Sequence, residues 1–229
     1  MRRFFYVLFA VVEKDLRLEW RTKESLLVMV VFALLVLTLF SFAFGPGGGS
    51  GENARAVQAG ILWISFLFAC VIGLSRTMSV ERESAGFSAM YLSPSDPSAL
   101  YLGKVVSVAV LMGIMEVVGF AVLAVLYQAN VWKSAGALAI VAISATVGIA
   151  AAGTLFSAMS ARTRTREVLL PVLMFPVLVP VLIAAVKASE AHLGGGGWAD
   201  SRDWIRLMLV YDVVFLVAAS LVFEYILEE

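Results

Sequence analysis

Apolar residues crowd into six stretches of the chain, at 26–44, 57–75, 104–127, 135–159, 168–186 and 205–227. A membrane-spanning helix needs about 20 mostly apolar residues, because the hydrocarbon core is about 30 Å thick and each residue rises about 1.5 Å. All six meet that length. Lipid offers no partner to backbone N–H and C=O groups, and the period-two alternation of a barrel is absent, so the stretches are expected to be helices. The pattern predicts an all-α polytopic membrane protein, a single transmembrane domain over 1–229.

Before the first span, Phe5, Leu8, Phe9, Val12, Leu16 and Trp20 recur at three- and four-residue spacing, with Glu13, Lys14, Arg17, Arg21 and Glu24 between them. That periodicity predicts an amphipathic helix over 4–24 lying in the membrane interface, which would also serve as a charged stop before the first span. Arg2 and Arg3 ahead of an apolar run mimic a secretory signal. Glu13, Lys14 and Asp15 follow with no small-residue cleavage site, so no removable peptide is expected.

Composition agrees: 61% of the chain is apolar and 15% charged, well outside the soluble range. The formal net charge is zero, which gives no argument for a nucleic-acid partner. The placement of the charges is informative. With the N-terminus inside, 12 of the 17 basic residues fall on the cytoplasmic side, among them Arg76, Arg82, Lys104, Arg162, Arg164 and Arg166; Arg55, Lys133, Lys187, Arg202 and Arg206 make up the opposite 5. By the positive-inside rule both termini are expected in the cytoplasm.

The cytoplasmic connection over 76–103 exceeds a tight turn. Glu81, Arg82 and Glu83 suit the start of a helix, and the Ser93-Pro94 step should end it, giving a short amphipathic helix over 81–92 at the membrane surface. It reads equally as a docking element or as a plain charged surface helix. Asp96 before Pro97 should open the next span early. The glycine-rich loops at 45–51 and 194–197 lack the lysine and hydroxyl of a phosphate-cradling loop and read as flexible connections. No Walker-type ATP site is present. The single cysteine, Cys70, permits no disulfide framework or thiolate metal cage within the chain and reads as a buried apolar residue.

Glu116, near the middle of the third span, must face protein or water, since an acid there costs about 2.5–3.5 kcal/mol on the insertion scale. Two roles stay open: lining a path or driving a conformational change, and a structural bond to a hydroxyl such as Ser144 or Thr146. The same choice applies to Asp212, beside Tyr211 in the sixth span. Pro171, Pro176 and Pro180 predict a bent or locally unwound fifth span. Arg166 and Glu167 precede it as topology signal or partner contact. His192 reads as a solvated loop side chain more readily than as a ligand. No catalytic triad, paired carboxylates or metal cluster is evident.

The order of interfacial helix, two spans and a short cytoplasmic helix running from Glu81-Arg82-Glu83 and Gly86 to Leu92-Ser93-Pro94 resembles ABC-2-type exporter permeases. The resemblance implies that Glu81, Arg82, Glu83 and Gly86 belong to a coupling helix that docks on a separate ATPase subunit. More specifically, Asp15-Leu-Arg17-Leu-Glu19, the run from Thr38 to Pro46, the run from Gly153 to Ala158, the run from Arg166 to Pro171, Tyr211-Asp212 and Phe223-Glu224-Tyr225 resemble the haem exporter protein B family of cytochrome c maturation. Nearly the whole chain is covered. This implies a bacterial inner-membrane permease, present as a homodimer and surrounded by lipid, that works with a cytoplasmic ABC ATPase, a haem-handling C subunit and a small D subunit. ATP would bind the partner, haem is a possible cargo, and no cofactor is expected to be bound by this chain. The working expectation is a bundle that ATPase closure rotates through the 81–92 helix, with the fifth span as hinge. A generic exporter of lipid, polysaccharide or drug, and a non-transporting scaffold that passes ATPase motion to a haem-handling partner, are the alternatives.

Overall fold

Residues 2–45, 53–83, 97–129, 131–160 and 166–228 are described by a computed structural model, and among them every regular element is helical. In chain order these are α1 (Arg2–Thr22), α2 (Glu24–Phe44), α3 (Ala54–Glu83), α4 (Pro97–Leu126), a 3-10 turn (Val131–Ser134), α5 (Ala135–Ser160), α6 (Arg166–Leu193) and α7 (Trp198–Glu228). Among the described residues six helices, α2 to α7, are long and apolar enough to cross a membrane.

Helix ends follow local chemistry. α4 opens at Pro97, where a missing N–H is harmless and the fixed φ suits the first helical position. α1 and α2 meet at Lys23, whose φ of 57° breaks the helical path. α6 ends in a built turn: Gly195 takes φ 75°, and the Gly196 N–H donates to Ala191 O at 2.9 Å. The Gly197 N–H then donates to Asp200 Oδ2 at 3.1 Å, which fixes the start of α7. The 194–197 segment is therefore an ordered corner, where its composition suggested a flexible link.

Two further expectations change. Glu81, Arg82 and Glu83 lie in the last turn of α3 and do not open a separate helix. Residues 76–83 contain neither glycine nor proline, so nothing stops the backbone ladder of the span from running on. Gly86 and the rest of the 81–92 segment lie outside the described residues. The fifth span, α6, is one continuous helix through Pro171, Pro176 and Pro180, with no unwound stretch. Membrane helices tolerate proline; Pro180 leaves Pro176 O without its helical donor, and Tyr211 Oη donates to the next carbonyl, Val177 O, at 3.2 Å.

α5 lies at the centre, packed on α4, α6 and α7, with α3 bridging α6 and α2. Its small residues, Ala145, Gly148, Ala150, Ala151, Ala152 and Gly153, let neighbouring helices approach closely. α1 packs along α4, so it is more than a helix floating in the interface. Cross-helix bonds tie the ends. At one end Trp63 Nε1 donates to Ser189 Oγ at 2.9 Å, Tyr127 Oη to Leu37 O at 2.8 Å, and Ser134 Oγ to His192 O at 2.9 Å. At the other, Tyr101 Oη donates to Ala151 O at 2.9 Å.

Trp63→Phe, which removes a fully buried donor and part of a packed ring, is expected to lower unfolding free energy by about 1–3 kcal/mol. Trp132→Phe, on a side chain 76% exposed, should leave it nearly unchanged. Denaturant titration of both variants in lipid bicelles measures the contrast.

Candidate functional site

Among the described residues two acids lie inside the bundle, and both pack on one short stretch of α5. Glu116 comes from α4, is 4% exposed, and accepts a 2.6 Å hydrogen bond at Oε1 from Thr146 Oγ1. Of the two hydroxyls the sequence offered as partners, the fold selects Thr146. Asp212 comes from α7 and is also buried, with its Oδ1 against Gly148: a Cβ built on that glycine would lie 2.6 Å from the oxygen. This Oδ1 has no hydrogen-bond partner among the described residues. Tyr211, the neighbouring side chain, stacks on Phe215 with ring centroids 4.3 Å apart.

Thr146 and Gly148 are two residues apart, so they point about 200° from each other and differ by about 3 Å in depth. The acids therefore share one membrane level and are separated by the thickness of α5. The structure brings each to α5 but does not join them in one cluster, and among the described residues no group of three acid, histidine or cysteine side chains could hold a metal. Cys70 is buried and free.

The proline helix reaches this site from the side. Pro176 and Pro180 are exposed and Pro171 is half-buried, while Tyr211, next to Asp212, makes the bond to Val177 described above. The α7 turn that carries Asp212 is thus fastened to the proline-rich turn of α6. Arg166 starts α6, and Glu167 follows it in the same first turn.

Two placements were not legible from the residues. His192 is not a loop side chain: it lies in the last turn of α6, is buried, and meets the Trp198 ring edge-on at 5.2 Å. Lys104, an orientation charge by its place in the sequence, is buried at 3% exposure and forms an ion pair with Asp15 Oδ2 at 2.8 Å. The signal available was the Asp15-Leu-Arg17-Leu-Glu19 stretch, whose Asp15 sits next to Leu16 on the apolar side of α1. α5 also buries the hydroxyls of Thr154 and Ser157, one turn apart and without a hydrogen-bond partner among the described residues.

Comparison with known proteins extends over the same helices. The family described as CcmB protein matches residues 6–228. The chain is 27% identical over 186 residues to heme exporter protein B of Bradyrhizobium diazoefficiens, covering 81% of this chain and 82% of that protein. It is 28% identical over 136 residues to heme exporter protein B of Rhodobacter capsulatus, covering 58% of this chain and 60% of that one.

A double-mutant cycle of Thr146→Val and Glu116→Gln is expected to give a coupling energy of about 0.5–2 kcal/mol, since the first variant strands a buried acceptor. Thr146→Ser, which keeps the hydroxyl, should behave like the unmodified protein. Unfolding midpoints of the four proteins in bicelles supply the numbers.

Proposed function

From this chain's membership of the CcmB protein family, we propose that it is the membrane-embedded permease subunit of an ABC transporter complex for cytochrome c biogenesis. In this reading it couples ATP hydrolysis on a partner subunit to haem export, or to release of a haem-loaded periplasmic chaperone. The observation that carries the proposal is the family match over nearly the whole length of a six-span bundle. The curated relatives bear the name heme exporter protein B.

The chain is a membrane subunit and not itself a catalytic enzyme, so the energy enters from outside. The entry point in this reading is the α3–α4 connection, with Glu81, Arg82, Glu83 and Gly86 as coupling residues and Arg166 and Glu167 as a second partner contact. That side carries most of the basic residues, which supports a cytoplasmic location for it and for both termini, in a bacterial inner membrane. The partners are a cytoplasmic ABC ATPase, a haem-handling C subunit, a small D subunit and a second copy of this chain. Haem is cargo of the complex, and ATP sits on the partner. Glu116 and Asp212 stand beside α5, where a rotation of α7 or α4 would change their packing. A ligand or nucleotide state drives such a rotation only through unequal affinity for the two arrangements.

Purification in mild detergent, with identification of every co-purifying chain, tests the proposal. An ABC ATPase together with a haem-handling subunit is expected; an ATPase alone would point to an exporter of another cargo, and no nucleotide-hydrolysing partner would overturn the reading. Glu83→Ala and Gly86→Leu should leave insertion intact while cytochrome c yield per ATP hydrolysed falls at least several-fold.

A further inference from the structure

The α3–α4 connection leaves the bundle from two helix ends, and each is tied to the same corner of the molecule. About two turns before the end of α3, Arg76 donates through Nε and Nη2 to Glu24 Oε2, at 3.0 and 2.5 Å. Glu24 is the first residue of α2. About two turns into α4, the buried Lys104 pairs with Asp15 of α1. Both ends of the connection are thus ion-paired to the helix pair α1 and α2.

Further contacts hold that corner together. Across the Lys23 break, the Leu26 N–H donates to Glu19 Oε1 at 2.7 Å, so a side chain of α1 satisfies a free donor in the first turn of α2. Thr77 Oγ1, next to Arg76, lies 3.4 Å from Ser25 Oγ. Gly103, next to Lys104, lets α1 lie directly on α4: a Cβ there would meet Val11 Cβ at 2.9 Å and Leu8 O at 3.1 Å. Asp15, Ser25, Thr77 and Lys104 line one small cleft between these helices.

We propose that the α1–α2 corner is a clamp that sets the spacing between the two helix ends bearing the α3–α4 connection, with Asp15 and Glu24 as its positioning residues. The Asp15 arm is the stronger, because Asp15 and Lys104 meet away from solvent, whereas the Arg76–Glu24 pair is half exposed and screened. The clamp rests on the coupling role proposed above only in its consequence, that a push on the connection moves α3 and α4 together.

The geometric arm of the test uses the full chain alone in nanodiscs, with spin labels at Ile72 on α3 and Val106 on α4 in a Cys70→Ala background. A single narrow distance distribution is expected, broadened by Asp15→Asn and by Lys104→Met and restored by Lys104→Arg. Glu24→Gln, on an exposed pair that does not threaten folding, should broaden it to a smaller extent. An unchanged distribution in Glu24→Gln, or in Asp15→Asn where that variant folds, overturns the clamp. In the purified complex, Asp15→Asn should keep ATP hydrolysis while cytochrome c yield per ATP falls several-fold. Hydrolysis and yield falling together, in proportion to the protein present, would mark Asp15 as merely structural and overturn the positioning role. Absence of any ATPase partner would remove the coupling reading and leave the distance measurement to decide the clamp.

Discussion

Lipid supplies no hydrogen-bond partner, and most of this structure follows from that constraint. Each polar group carried into the hydrocarbon must be answered by another group of the chain, or it costs several kcal/mol in order of magnitude. Ser65, Ser75 and Ser107 turn their hydroxyls back to the carbonyl four residues earlier. Trp63 reaches α6, Tyr127 reaches α2, and Tyr101 reaches α5. These bonds do more than cancel a penalty. Apolar side chains pack almost as well against acyl chains as against each other, so directional polar contacts and close approach at small residues select the arrangement of helices. The position of α5 is an example: it is rich in alanine and glycine, and four helices reach its backbone or fill the space its missing side chains leave.

The same constraint explains what could be read along the sequence. Hydropathy reports the solvent of each stretch, so the six spans and the amphipathic α1 were legible from spacing alone. It does not report which polar group answers which. Glu116 was recognisable as an acid needing a partner, and two hydroxyls at compatible depth were candidates; only the rotation of α5 against α4 selects Thr146 over Ser144. The partner of Lys104 was hidden for a related reason. A lysine at the end of an apolar stretch looks like a solvated orientation charge, and its burial depends on Asp15, which is far away in sequence and brought close only when α1 lies down on α4. Four glycines after His192 suggest a loop, yet those glycines form the helix cap and leave the histidine inside the last turn.

Helix interruptions show the limit of local rules in the other direction. Three prolines within ten positions argue for a break, because each removes a donor and crowds the preceding turn. α6 nevertheless remains one helix. Two of its prolines, Pro176 and Pro180, are exposed, and the Tyr211 hydroxyl comes from α7 to donate to Val177 O, one residue past the carbonyl that Pro180 leaves without its helical donor. The rule for an isolated helix therefore does not carry over to one packed among other spans. The end of α3 shows the converse: charges at 81–83 looked like a new helix start, but a helix stops only where glycine, proline or a capping geometry stops it.

Contacts of these kinds resist motion unequally, and the difference indicates where the bundle can rearrange. A seam held by a satisfied buried bond has to break that bond before it can slide, as between α4 and α5 at Glu116 and Thr146. The seam between α5 and α7 is built otherwise at the same depth. Asp212 Oδ1 rests there on Gly148 and has no hydrogen-bond partner among the described residues. α7 is at the same time fastened to α6 through the Tyr211 hydroxyl. Interfaces of this type switch between discrete packings and do not deform continuously. At this depth the α5–α7 contact thus rests on close approach to a small residue, Gly148, and the α4–α5 contact on the buried bond from Thr146 to Glu116.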